Sequence, residues 1–219
     1  MSKITAVVLL SAIFLAGYAN ARAAEPFPDP KIDAPPSMAK VTQTAVFAGG
    51  CFWGVEAVFE HVKGVTQVVS GYSGGSADSA QYERVSSGAT GHAESVRVTY
   101  DPSRVTYGQL LKVFFSVAHD PTELNRQGPD TGTQYRSARF FSGDEHKRIA
   151  ESYIAQLQAA RVYPRPIVTE ISPLKAFYEA EAYHQDYLAR HPNQPYIVIN
   201  DLPKLANLQR QLPGLYAGK

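Results

Sequence analysis

Cys51 is the only cysteine in the chain, and it is set in the string Gly49-Gly50-Cys51-Phe52-Trp53-Gly54. An apolar run, Ala45 to Phe47, reads as a strand, the glycine pair breaks it, and from Cys51 onward Phe52, Val55, Phe59 and Val62 recur at helical spacing. That pattern predicts Cys51 in the first turn of a helix. Unpaired backbone N–H groups and the positive end of the helix dipole gather there, favouring thiolate over thiol and lowering the pKa below its free value of about 8.5. A lone cysteine is also a common core filler. Glycines on one side and two aromatic rings on the other suit a different purpose, a small apolar or thioether group held beside a reactive sulfur.

Glu94 is the second candidate. In Glu94 to Tyr100 the residues alternate, with Glu94, Val96, Val98 and Tyr100 on one face and Ser95, Arg97 and Thr99 on the other. A carboxyl on the apolar face loses hydration, its neutral form is favoured, and its pKa rises, as a general acid near neutral pH requires. A strand-end residue that turns back to water or pairs with a cation fits the same spacing. Tyr82 interrupts a long Gly-, Ser- and Ala-rich stretch from Gly71 to Gly91, as a packing anchor or a ligand contact. Asp130 and Tyr135 belong to a second Gly/Pro/Asp-rich segment and matter for chemistry only if that segment faces Cys51.

The elements that must position these residues follow from the periodicity. After the first helix, Gly64 reads as a cap and Val65 to Ser70 as a strand. Beyond Glu94–Tyr100, Ser103 can cap a helix carrying Leu110, Val113, Phe114 and Val117 to Ala118, and Ser137 to Ser142 reads as a short strand. A helix from Gly143-Asp144 to about Arg161, a strand Ile167 to Ile171 and a helix Ala176 to Ala189 complete the regular elements, before a proline-punctuated tail from His191. This order predicts an α+β chain of the ferredoxin-like, split βαβ type. It is a two-layer sandwich with a mostly antiparallel sheet, an extra helix and an extended C-terminal tail.

A net charge of +1 gives no bias towards nucleic acid or an anionic membrane, and 44% hydrophobic residues suffice for one core. There is no metal-type Cys/His spacing, phosphate loop, basic cluster or repeat. Lys3, the apolar run Ile4 to Ala16 and the small residues around Ala19, Ala21, Ala23 and Ala24 read as a cleaved secretory signal, residues 1–24. Residues 25–42 read as a Pro-rich extended leader and 43–219 as a single catalytic domain with its tail. The mature chain is expected to be exported to a bacterial periplasm, monomeric and free of the membrane. With one cysteine it cannot form an internal disulfide.

The string GGCFWG resembles the active-site signature of the A-type peptide methionine sulfoxide reductases. The resemblance extends through GYSGG at 71–75, Tyr82-Glu83, GHAES at 91–95, HDPT at 119–122, NRQGPDTGTQYRS at 125–137 and YHQDYL at 183–188. It implies Cys51 as nucleophile on the sulfoxide sulfur, Phe52 and Trp53 as the pocket for the substrate methyl, and Glu94 as the acid that protonates the oxygen. Tyr82 and Tyr135 would hydrogen-bond that oxygen, and Asp130 would help to position the substrate. It also implies action on the S epimer of methionine sulfoxide, free or in oxidised proteins, as a repair reaction. No cofactor or metal is bound, and a sulfenic acid is left on Cys51. Many relatives carry a second cysteine in the tail after a tyrosine; here Ile197 follows Tyr196 and no second thiol exists. Resolution is therefore expected from an external reductant, a thioredoxin- or glutaredoxin-type protein or a small thiol.

Two other readings remain open at this point. One is a Cys-dependent acyl-transfer hydrolase with His92, His119 or His184 as base to Cys51. The other is a non-catalytic peptide-binding module built on Phe52 and Trp53.

Overall fold

A computed structural model describes residues 27–36 and 41–218; the expected signal segment lies outside the described residues. The first strand, β1 (Gln43–Gly49), leads through Gly50 and Cys51 into α1 (Phe52–Glu60), and β2 (Val65–Ser73) follows. A short helix α2 (Tyr82–Val85), β3 (Ala93–Tyr100) and α3 (Tyr107–Val113), which winds on as a π-helix over Phe114–Ala118, come next. The small hairpin β4 (Arg126–Gln127) and β5 (Asp130–Thr131) precedes β6 (Ser137–Phe141), α4 (Asp144–Ala159) and β7 (Glu170–Pro173). The chain ends with β8 (Tyr178–Glu179), α5 (Tyr187–Arg190), a π-turn Ile197–Asp201 and α6 (Leu202–Gln211).

The six-stranded sheet runs β7-β6-β1-β3-β2-β8, antiparallel at every junction except the parallel β6/β7 pair. Its middle, β6-β1-β3-β2, has β3 inserted between the parallel strands of the β1-α1-β2 unit. This is the split βαβ expected from the element order. Phe47, Val96, Val98, Tyr100 and Tyr72 face the helices and join the main core with Phe52, Phe59, Leu110, Phe114 and Ile149. A smaller cluster on the other face, Val46, Ala48, Ala138 and Phe140, is covered by Leu174 and Phe177. Strands buried on both faces account for β1 being apolar without alternation.

This topology gathers the candidate residues. The β1/β3 ladder ends with Phe47 opposite Val96, so one step further Gly49, and Cys51 after it, meet Glu94 at the start of β3. Glu94 in turn pairs with Tyr72 near the end of β2, and Gly49 with Ser137 at the start of β6. The segments after β2 and before β6, which carry Tyr82, Asp130 and Tyr135, therefore leave the sheet at the same end.

The structure departs from the periodicity in four places. Thr106, not Ser103, caps α3 through a reciprocal capping box with Gln109; Ser103 instead bonds Asp101 in a local turn. The strand expected at Ile167–Ile171 lies further on, at Glu170–Pro173, in register with β6. Ala176–Ala189 is not one helix. Tyr178–Glu179 adds to the exposed edge of β2, the Gln185 amide bonds both the N–H and the C=O of Ser70, and Asp186 takes a left-handed φ of 50°. Edge pairing and side-chain capture of strand backbone here outweigh a weak helical propensity. The tail after His191 is helical over Ile197–Gln211, because Pro203 falls in the first turn of α6, where a missing N–H costs nothing.

Of the Pro-rich leader, residues 27–36 lie against α3 and α4. Tyr153 donates to Pro28 O (2.6 Å), Lys112 pairs with Asp29 (2.7 Å), and Asp33 accepts from Gly108 N (2.7 Å) and Thr106 Oγ1.

Candidate active site

Cys51 is not inside the helix but at its N-cap, with φ −52° and ψ 122°, and is 8% exposed. Gly50, at φ 88°, makes the turn into it, and a Cβ there would fall 2.5 Å from the Gln127 side chain. The turn thus needs glycine twice over, for its conformation and for its packing. The helix start acts on the sulfur only in part. The Trp53 N–H does favour the thiolate, but burial first, then Glu94 and Asp201, push the Cys51 thiol well above its ordinary value, with Lys204 opposing them. The expectation of a lowered pKa is thereby corrected. The main cause is burial of the sulfur by packing from remote segments, with the carboxyls those segments bring adding to it.

Glu94 is 3% exposed, and its Oε2 accepts from Phe52 N at 3.0 Å. The Phe52 N–H is one of the orphan donors of the first turn of α1, so a strand residue supplies the cap that Cys51 does not. This bond fixes the carboxyl one peptide unit from the sulfur. Burial, aided by the charge of Asp130 and opposed by the Phe52 N–H, pushes the Glu94 pKa up to about 8. At neutral pH the group is a carboxylic acid. With Oε2 accepting from the backbone, Oε1 is left without that bond and is the oxygen free to donate.

Tyr82 and Tyr135 both lie in the field of Glu94 and Cys51. Burial and those charges raise both phenols, so their hydroxyls stay donors. Tyr82 is held by its backbone N–H to Glu181 Oε1 (2.9 Å), and the other oxygen of Glu181 accepts from Tyr72 Oη (2.9 Å). Asp130 accepts from Tyr196 Oη. Phe52 is buried; its ring lies 5.9 Å from that of Tyr72 and 4.9 Å from that of His184. Trp53 is half-buried, stacked on Tyr187 at 3.7 Å and 8°, edge-on to Tyr196 at 6.0 Å, and donates its indole N–H to His184 Nδ1 at 3.2 Å.

All seven candidate residues therefore converge. Periodicity missed the second layer, Glu181 under the two tyrosines and Tyr187 and Tyr196 around the indole. Glu181 and Tyr187 sit where a helix was expected, Tyr187 as part of its packing stripe, and Tyr196 sits in the segment read as an extended tail. Among the described residues none of the three histidines a hydrolase would need bonds the Cys51 sulfur. His92 bonds Gly75 N and Ser76 O, His119 bonds Phe114 O and Ser137 Oγ, and His184 spends Nδ1 on Trp53. Among the described residues no group of three or more His, Cys, Asp or Glu is placed to hold a metal, and no helix is long and apolar enough to cross a membrane.

A dry thiol beside a neutral carboxyl, rimmed by phenol donors and an aromatic wall on a ferredoxin-like sheet, fits a cysteine-based oxidoreductase. A family model described as peptide methionine sulfoxide reductase matches residues 43–214. The chain is 64% identical over 178 residues to the peptide methionine sulfoxide reductase MsrA 2 of Mesorhizobium japonicum, covering 81% of this chain and 91% of that one. It is 53% identical to the MsrA 2 of Synechocystis over 84% of this chain and 87% of the relative. Among solved structures, reduced Mxr1 from Saccharomyces cerevisiae superposes with a TM-score of 0.64 at 35% identity (73% and 91% of the two chains). Methionine sulfoxide reductase A of Corynebacterium diphtheriae does so with 0.62 at 37% (77% and 84%). The chain belongs to the peptide methionine sulfoxide reductase family.

Proposed function

We propose that the chain reduces methionine S-sulfoxide, free and in oxidised proteins, with Cys51 as nucleophile and Glu94 as proton donor. The observation that carries this reading is the 3.0 Å bond from Phe52 N to Glu94 Oε2, which holds an uncharged carboxyl one peptide unit from the only thiol. Sulfoxide oxygen leaves only once protonated. Glu94 gives its proton to that oxygen as Sγ bonds the sulfoxide sulfur, and takes up the proton that Cys51 loses. Tyr82 and Tyr135 donate to the same oxygen as charge develops. The substrate methyl lies against Phe52 and Trp53, and Asp130, fixed by Tyr196, orients the rest of the side chain. The substrate S–O bond and the transient Sγ–S bond then break as the hydroxyl passes to Sγ, so that Cys51–SH and the sulfoxide become Cys51–SOH and the thioether, the thiol sulfur oxidised by two electrons and the sulfoxide sulfur reduced by two.

Because the chain has no second cysteine, an external thiol resolves the sulfenic acid, giving a mixed disulfide on Cys51 and water, and a second thiol equivalent restores Cys51. A thioredoxin- or glutaredoxin-type protein or a small thiol fits this need, and the reaction needs only one copy of the chain. The apolar run Ile4–Ala16 after Lys3, followed by small residues, supports export to a periplasm.

The test is a single turnover without reductant: excess S- or R-sulfoxide, counting methionine released per chain and free thiol remaining. About one methionine per chain from the S epimer alone, with loss of the Cys51 thiol, is expected. No methionine from either epimer, or release by Cys51→Ser, would overturn the reading.

A further inference from the structure

The last glycine of the GGCFWG string has no backbone reason to be glycine, since Gly54 lies inside α1 and is not among the residues of positive φ. Its reason is a neighbour. A Cβ on Gly54 would fall 2.0 Å from Asp201 Oδ1 and 2.7 Å from Lys204 Nζ. The start of α6 thus pushes a carboxylate and an ammonium, 3.0 Å apart, into the space above the first turn of α1. As the N-cap of α1, Cys51 turns its sulfur back over that first turn, towards the Trp53 N–H, and Gly54 is the next residue of the same turn. Asp201 is 0% exposed, and while Oδ1 is bound by Lys204, Oδ2 has no hydrogen-bond partner. A buried carboxylate using half its acceptor capacity is an unusual way merely to anchor a helix.

We propose that Asp201 and Lys204 are positioning residues for the Cys51 sulfur, a buried ion pair set above the first turn of α1 whose balance of charge decides how readily the sulfur reacts. The proposal rests on Cys51 being the nucleophile. The groups acting on or facing the sulfur are Glu94 from β3, Tyr82 from α2, Tyr135 from the segment before β6, and Tyr196, Asp201 and Lys204 from the C-terminal turn and helix. All but Lys204 are acids. Lys204 is therefore the charge that opposes the rest, and Asp201 both holds it in place and tempers it. In a chain whose spent sulfur must wait for an outside thiol, a sulfur kept protonated at rest is guarded against stray oxidants.

The experiment is alkylation of the reduced full-length chain by iodoacetamide between pH 6 and 10, scored at Cys51 by mass. Asp201→Asn is expected to move the midpoint down and speed the reaction at pH 7 about tenfold, the thiolate gain of one pKa unit. Lys204→Gln is expected to move it up and slow the reaction by a similar factor, and the double variant to return close to wild type. Shifts in the same direction, a shift in only one variant, or none larger than about 0.3 unit would overturn the proposal. If Lys204→Gln does not fold, leaving Asp201 buried without its cation, Asp201→Asn and the double variant decide it. Alkylation needs no sulfoxide, so a failure to reduce methionine sulfoxide leaves this result separately readable.

Discussion

Replacing Glu94 by Gln should stabilise the folded chain while disabling it, and the gain should grow with pH. The folded chain holds a proton on Glu94 up to about pH 8, whereas the unfolded chain releases it near the ordinary 4.5. Between those values the native state binds the extra proton, so stability falls as pH rises, by about 1.4 kcal/mol per unit. At pH 7 the penalty approaches about 3 kcal/mol. Glutamine carries no such penalty, and its amide oxygen can still accept from Phe52 N, so the cap of α1 survives. Urea denaturation of wild type and Glu94→Gln at pH 5, 6.5 and 8 should show the variant's advantage widening across the series. Glu56, also buried and pushed up to about 8, affects both chains equally and cancels in the difference. Turnover should fall roughly 10²- to 10⁴-fold, the usual worth of a general acid. In wild type it should decline as pH rises through about 8, a limb absent from the variant. A stability difference that stays constant from pH 5 to 8 would refute the claim that this carboxyl is neutral in the folded chain.

The remaining predictions are smaller. Tyr82→Phe and Tyr135→Phe should each lower kcat roughly 10²-fold with little change in KM, since the hydroxyls act on developing charge; equal losses in binding and rate would assign them to ground-state binding instead. Asp33→Ala removes acceptors for Gly108 N and Thr106 Oγ1 at the start of α3, and should cost about 1 kcal/mol in thermal melts without changing kcat.

Local pattern carried the site further than it carried the fold. Alternation placed Glu94 on the helix-facing side of β3, and the glycine break placed Cys51 at the start of α1, because both depend on neighbours within a few residues. The charge state of Cys51 was not legible, since it is set first by burial and then by Glu94 and Asp201, all of which only tertiary structure brings to the sulfur. The segment Ala176–Ala189 was misread because its aromatic and polar residues satisfy helical spacing while their real partners, Ser70, Tyr72 and Trp53, lie on other elements. The prolines of the tail suggested coil because position within a turn, which decides whether proline starts or breaks a helix, is invisible before the helix is placed.

Trp53 is the only tryptophan in the chain. It is stacked on Tyr187, bonded to a buried His184 held neutral by desolvation, and two residues from the sulfur. Its emission, excited selectively over that of the tyrosines, is therefore an intrinsic optical reporter with no second indole to confuse it. Quenching or a spectral shift should register a thioether entering the aromatic wall, the oxygen arriving on Cys51, and its removal by the incoming thiol. Each half of the cycle can be timed in a stopped-flow instrument on the unlabelled protein.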